Sequence, residues 1–157
     1  MADLLYNTGS SELWDGTIDL LTDTIKGLLR DNTYTADRDN DVVDAGGAND
    51  VVDAELSGTG YTGGWGGSGR KTLASKAIAV DKTNDRSTFD CADLVWTAID
   101  AGTAAALEIV KEGVSDDTTS RLISSHDSGF PAATNGGDLT VTIPTPANGA
   151  LINLATA

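Results

Sequence analysis

The sequence predicts an all-β domain, an antiparallel β-sandwich or jelly-roll-like barrel. Three observations carry that expectation. Twenty of the acidic residues are Asp and only four are Glu, and Asp favours turns and caps where Glu favours helix. The chain holds 18 glycines, residues that serve tight turns and weaken helix interiors. Short apolar runs recur with turn signals every ~8–12 residues, the spacing of sandwiches and barrels. At 157 residues the chain reads as a single β-sandwich domain over 1–157. Residues 1–14 read as an N-terminal arm or short helix, and 31–69 as an irregular acidic and glycine-rich loop region.

The elements follow in order. In 2–14, Leu4, Leu5 and Leu13 are spread around Asn7, Gly9 and Ser10, which suits a short helix or an arm. Ile18 and Leu20 alternate with Thr17 and Asp19, and a second apolar run spans 25–29, so two strands or one bent strand are expected. Segment 31–69 shows almost no alternation. Within it Asn40-Asp-Val-Val-Asp-Ala45 recurs as Asn49-Asp-Val-Val-Asp-Ala54. Seven glycines then crowd the twelve positions 58–69 around Tyr61 and Trp65, too many for strand interior. This reads as a surface loop or flap with aromatic tips.

Residues 71–80 read as a strand, 81–85 as a turn, and 86–90 as a strand with Phe89 on one side. Leu94-Val-Trp96 is a short buried run. In 104–111, Ala105, Leu107 and Ile109 share one face and Glu108 takes the other; the three alanines would allow a helix, but the Asp100-Ala-Gly102 lead-in and the short span favour a strand. Residues 121–125 form another strand. Asn135-Gly-Gly137 is a hairpin signal. Leu139, Val141 and Ile143 alternate with Asp138, Thr140 and Thr142, and 151–154 make a last strand.

Composition excludes several functions. Ten Lys+Arg face 24 Asp+Glu, a formal charge of −14. Such a chain repels phosphate backbones and anionic lipid, so neither nucleic acid nor membrane is an expected partner. No stretch approaches the ~18 apolar residues of a membrane span. The amino terminus lacks the basic and apolar regions of a signal peptide. The lone cysteine, Cys91, allows no intrachain disulfide.

Candidate chemistry is sparse. Asp37-Arg-Asp39-Asn-Asp41 opens like an EF-hand loop, but Val42 stands where Gly is required and Ala48 where Glu is required. The nine-residue repeat evokes a calcium-binding β-roll, yet solenoids need about three copies to stack. A calcium site among Asp37, Asp39, Asp41 and Asp44 stays open. Cys91 and His126 are the only residues of their kinds and could form a dyad; Cys91 also suits a buried apolar position. No nucleophile elbow, P-loop or paired-Cys zinc signature is present. Tyr61 and Trp65 either contact a partner or glycan or fold back over the core. Trp96 belongs to the core.

The ordered succession of short motifs resembles a recurrent structural protein of tailed bacteriophages. The likeness runs through Gly16-Thr-Ile-Asp19, Asp23-Thr-Ile-Lys26, Tyr34-Thr35, Leu56-Ser-Gly-Thr-Gly-Tyr-Thr62 and Lys71-Thr-Leu73. It continues through Asp81-Lys-Thr-Asn-Asp-Arg86, Phe89-Asp90, Asp93-Leu-Val-Trp96, Arg121-Leu-Ile123 and Asn135-Gly-Gly-Asp-Leu-Thr-Val141. The chain departs from that pattern at Gly27, at Trp65-Gly-Gly-Ser-Gly69 and in 104–110, which lacks an aromatic. The resemblance implies a β-sandwich virion protein without enzymatic residues or cofactor, made in the bacterial cytoplasm. Within it we expect a capsid decoration (cement) protein. Its partners would be the major capsid protein and copies of itself as a dimer or trimer. Leu4, Leu5, Tyr61 and Trp65 are the candidate contacts. A tail- or fibre-associated protein and a carbohydrate-binding module are the competing expectations; an enzyme is a third class.

Overall fold

In the computed structural model, which describes residues 4–148 and 150–155, the apolar run Ile25–Arg30 is a central strand. It is β2 of twelve strands seen among the described residues. The others are β1 (Leu4–Leu5), β3 (Lys71–Thr72), β4 (Ala77–Asp81), β5 (Arg86–Asp90), β6 (Leu94–Trp96) and β7 (Thr103–Ala104). There follow β8 (Ala106–Lys111), β9 (Arg121–His126), β10 (Ala132–Ala133), β11 (Leu139–Val141) and β12 (Ile152–Ala155). Helices are few: α1 (Asn7–Asp15) and the single turn α2 (Val51–Ala54). The protein is therefore all-β, with antiparallel pairing throughout. None of the described helices is long and apolar enough to cross a membrane.

The strands form open sheets. The largest has the order β1-β9-β8-β2-β3; a second has the order β12-β5-β4; β10-β7 and β11-β6 are two-stranded. The large sheet is buried on both faces, which explains its near-continuous apolar strands. On its front face Ile25, Leu29, Leu107, Ile109 and Ile123 share a core with Phe89, Leu94, Trp96 and Ile152 of the smaller sheets. On its back face Leu28, Val110 and Leu122 meet Tyr6, Tyr34, Val43, Val51 and Ala54. A register shift between Ile109 and Val110 opposite β9 marks a bulge, placing Leu122 on the back face and Ile123 on the front.

Several expectations need correction. Segment 31–69 is only in part a surface flap: Tyr34, Val43, Val51 and Ala54 close the back of the central sheet, Leu56 and Tyr61 enter the front core, and the glycine-rich stretch between Tyr61 and Gly69 stays on the surface. Its two copies of Asn-Asp-Val-Val-Asp-Ala take different conformations. In the first, Val42 bridges to Arg121 and Val43 is buried; in the second, Val51–Ala54 is helical with Val51 and Ala54 buried. The repeat is one of sequence and not of structure, although both copies bury residues in the same back core and the Val52 N–H donates to the Val43 carbonyl. Residues 17–22 are turns anchored by Asp19, whose carboxylate accepts from the Leu21 and Thr22 N–H groups at 2.8 and 3.3 Å. Asn135-Gly-Gly137 joins β10 to β11, but these strands pair with β7 and β6 rather than with each other. The expected strand at 71–80 is broken into β3 and β4, with Ser75 at φ 53° between them.

The N-terminal segment belongs to the body. Tyr6 is fully buried, and α1 lies on β9 so closely that Gly9 alone fits there: an added Cβ would overlap the Leu122 carbonyl oxygen. Gly16, at φ 80°, ends the helix in the left-handed region.

Candidate docking groove

Chemistry-bearing residues are mostly tied into structure. Glu108, on the face of β8 opposite Leu107 and Ile109 as the alternation implies, is fully buried. Its Oε1 accepts from Arg30 Nε at 2.6 Å and from the Ser125 hydroxyl at 2.7 Å; its Oε2 accepts from Tyr6 at 3.0 Å. Burial pushes the Glu108 carboxyl up, against the opposing pull of Arg30, Ser125 and Tyr6. A second network centres on Arg70, which donates to Glu55 at 2.9 and 2.5 Å and to Asp117 at 2.6 and 2.9 Å. Burial alone would lower the Arg70 pKa; the two carboxylates raise it instead.

Cys91 follows β5 and is buried, and its thiol is pushed up to about 12 by burial, with Asp90 and Asp93 adding to the rise. It fills an apolar position in the front core. His126 ends β9, with Nε2 2.8 Å from the Ser124 hydroxyl.

Of the aspartates near 37–44, Asp37 and Asp44 hold local turns, and Asp39 and Asp41 tie the segment to the start of α1. Asp37 accepts from the Asp39 N–H, Asp39 from Asn7, Asp41 from the Thr8 hydroxyl and Asp44 from the Gly46 N–H. Among the described residues no three acidic, His or Cys side chains are grouped to hold a metal ion.

The four expected contact residues separate. Tyr61 is 1% exposed: it stacks on Trp96 at 6.5 Å, accepts from the Leu29 N–H at 2.9 Å and donates to Glu55 at 3.2 Å. It cannot meet a partner, since its ring supplies core area and its hydroxyl is satisfied inside. Trp65 is 44% exposed, pinned by its Nε1–H to the Gly113 carbonyl at 3.0 Å. The two aromatics therefore form no joint platform. Leu4 and Leu5 are half-buried in β1, paired with Ser125 and Ser124, and pack against the back and front cores respectively.

A different surface gathers apolar area. Leu13 and Trp14 at the end of α1, Ile18 and Leu20 from the following turn, and the face of the β12-β5-β4 sheet enclose a groove of about 390 Å³. Cross-strand pairing builds the sheet wall: Ile78, Phe89 and Ile152 are register partners, and so are Val80, Ser87 and Leu154. Directly paired residues share a face, so the wall grades from buried Phe89 and Ile152 to exposed Leu154. Trp14 stands at its rim with 77% of its surface exposed, and Ile78 with 55%. The acidic group among the lining residues is Asp19, whose pKa is lowered by its hydrogen bonds to Thr22 and Leu21. Trp14 escaped the sequence reading because the packing face of α1 is set by a glycine; no apolar stripe identifies it. Comparison with family models, curated proteins and solved structures finds no match to the chain.

Proposed function

We propose that this chain is a structural virion protein of a tailed bacteriophage: a capsid decoration protein that seats its α1 groove on the major capsid protein. The observation that carries the reading is the groove itself. A chain with a charge of −14 leaves Trp14, Ile78 and Leu154 uncovered on one side. Exposed apolar area gathered in this way marks an interaction site, and Trp is the commonest kind of anchor in one. Burying such side chains contributes about 1.5–3 kcal/mol each, while the acidic skin keeps unassembled copies apart in solution. The ordered likeness to phage structural proteins supplies the kind of body it decorates. The large sheet and the β12-β5-β4 sheet, sharing one core, are the two layers of the proposed sandwich.

The test adds purified protein to undecorated capsids and measures attachment and resistance to heat. Wild type attaches in many copies and raises the temperature of capsid disruption. Trp14→Ala, changing an exposed side chain, keeps its own melting temperature but loses attachment. Attachment unaffected by Trp14→Ala removes the groove from the reading. Binding to tails in a few copies per particle, with none on capsids, replaces decoration by a tail role.

A further inference from the structure

β4 ends its sheet: its ladder runs to β5 on one side. Among the described residues no further hydrogen bond reaches its other edge. The Phe89 carbonyl accepts from the Leu151 N–H at 3.0 Å, on the β12 side. Backbone groups alternate in direction along an antiparallel strand, so Arg86, Thr88 and Asp90 face β4. Their partners Asp81, Ala79 and Ala77 point back at β5. The N–H and C=O groups of Ile78 and Val80 are left on the open edge. The segment Ala77-Ile-Ala-Val-Asp81 carries no proline, and no register shift interrupts its ladder to β5. It has no charge before Asp81, so it lacks the usual protections of an edge strand. Val80 is 69% exposed.

We propose that a second copy of this chain pairs with this edge, β4 against β4, antiparallel about a two-fold axis at Ala79. That register sets Ile78 opposite Val80 of the partner and the reverse, and both residues have outward-pointing backbone groups, so the N–H and C=O groups pair reciprocally. It sets Ala79 against itself at a close, non-hydrogen-bonded position, where small side chains fit. Moving the axis to Ile78 or Val80 would bring Lys76 or Lys82, outside β4, into the pairing. Charge also favours a copy here. Around this edge Lys76, Lys82 and Arg86 stand against Asp81, Asp85 and Asp90, so two copies of a strongly acidic chain meet where the charges balance. An axis normal to the sheet keeps faces matched, giving one sheet in the order β12-β5-β4-β4-β5-β12. The pairing stands apart from the docking reading. If that reading also holds, the dimer presents two Trp14 grooves on one side and gains from divalent attachment.

Full-length protein is measured by sedimentation and light scattering across micromolar concentrations. A mass of two chains is expected at the upper end. Val80→Pro removes an outward N–H without touching the ladder to β5, a change that edge strands tolerate, and should weaken association at least about tenfold with unchanged circular dichroism. Ala79→Cys should oxidise to a covalent dimer, because a non-hydrogen-bonded pair brings Cα atoms to about 4.5 Å, within disulfide reach. Ala77→Cys, set against Asp81, should not, and buried Cys91 should not contribute. A monomer at every concentration overturns the proposal. So does a dimer indifferent to Val80→Pro, or one in which position 79 crosslinks no faster than position 77. Trp14→Ala must leave the dimer intact, which separates failure here from failure of capsid docking.

Discussion

The Tyr6 hydroxyl donates to Glu108 Oε2 at 3.0 Å across 102 positions of sequence, tying the N-terminal segment to the middle of the central sheet. Glu108 also holds Arg30, whose guanidinium lies 5.1 Å from the Tyr34 ring centre. Breaking a buried ion pair from one side leaves the other charge uncompensated, at a cost of about 3–5 kcal/mol. Glu108→Ala should fall in that range by urea denaturation. Tyr6→Phe removes a hydrogen bond to a charged acceptor and should cost about 1.5–3 kcal/mol. The two effects should be less than additive, since both act on one network.

Arg70 does the same for segment 55–69. It lies between Glu55 and Asp117 with all three side chains nearly sealed from solvent, and Glu55 also receives the Gly64 N–H and the Tyr61 hydroxyl. Arg70→Ala strands two buried carboxylates and should cost about 3–5 kcal/mol. Limited proteolysis should then cut within 58–69 much faster than in wild type, because that glycine-rich stretch loses its anchor. Cleavage at an unchanged rate would mean that Trp65 and Tyr61 hold the stretch alone.

These networks mark the boundary of what the sequence discloses. Strands β6, β8, β9 and β11 are legible because their apolar residues alternate or run together, and β5 because a turn cluster at 81–85 precedes it. Segment 31–56 is not: Tyr34, Val43, Val51, Ala54 and Leu56 are buried at spacings that fit neither a helix nor a strand. The Val43 and Leu56 N–H groups reach the distant carbonyls of Ser120 and Leu29, and the turn between the two copies is held by Asp50, which accepts from the Ala45 and Gly47 N–H groups. A composition that signals solvated loop therefore also describes a packed one. The burial of Glu108 is hidden for a related reason. Alternation gives the face of a charged residue but not its partner, and Arg30 lies 78 positions away. The docking groove was the least legible part. It is assembled from α1, a turn and three strands, and its exposed residues look like core until the fold leaves them uncovered.

The aspartate turns set the acid limit of stability. Asp15, Asp19, Asp81 and Asp116 have pKa values lowered chiefly by side-chain hydrogen bonds to Thr17, Thr22, Asn84 and Thr118. A carboxylate with a depressed folded pKa stabilises fully above its unfolded value, 3.8 for Asp, and loses that contribution as pH falls through the folded value. Glu108 works in the opposite sense. Its folded pKa is raised, so acidification returns stability through this group. The urea midpoint should rise as pH falls from the raised Glu108 pKa toward the unfolded Glu value, 4.5, and drop below the unfolded Asp value, 3.8. That rise should be missing in Glu108→Gln, whereas the drop below the Asp value should keep its slope. A wild-type midpoint that falls over the range above 4.5, where the variant's stays level, would reverse the sign assigned to Glu108.

Gly9 links the fold to the groove. An alanine in a helix interior is ordinarily worth about 1 kcal/mol over glycine, so Gly9→Ala would stabilise an isolated α1. Here the new Cβ overlaps the Leu122 carbonyl oxygen and comes within 3.0 Å of the Ile123 Cα. Both are backbone atoms of β9, held in the ladder with β8, and cannot swing aside. Overpacking of this kind costs about 1–3 kcal/mol, so the clash outweighs the propensity. The helix must lift from β9, and it carries Leu13 and Trp14, one wall of the groove, with it. Gly9→Ala should lower the melting temperature and reduce capsid attachment, whereas Ser10→Ala, one position along the same helix, should change neither appreciably. Attachment preserved at full strength in Gly9→Ala, despite lost stability, would show that the position of α1 does not shape the docking surface.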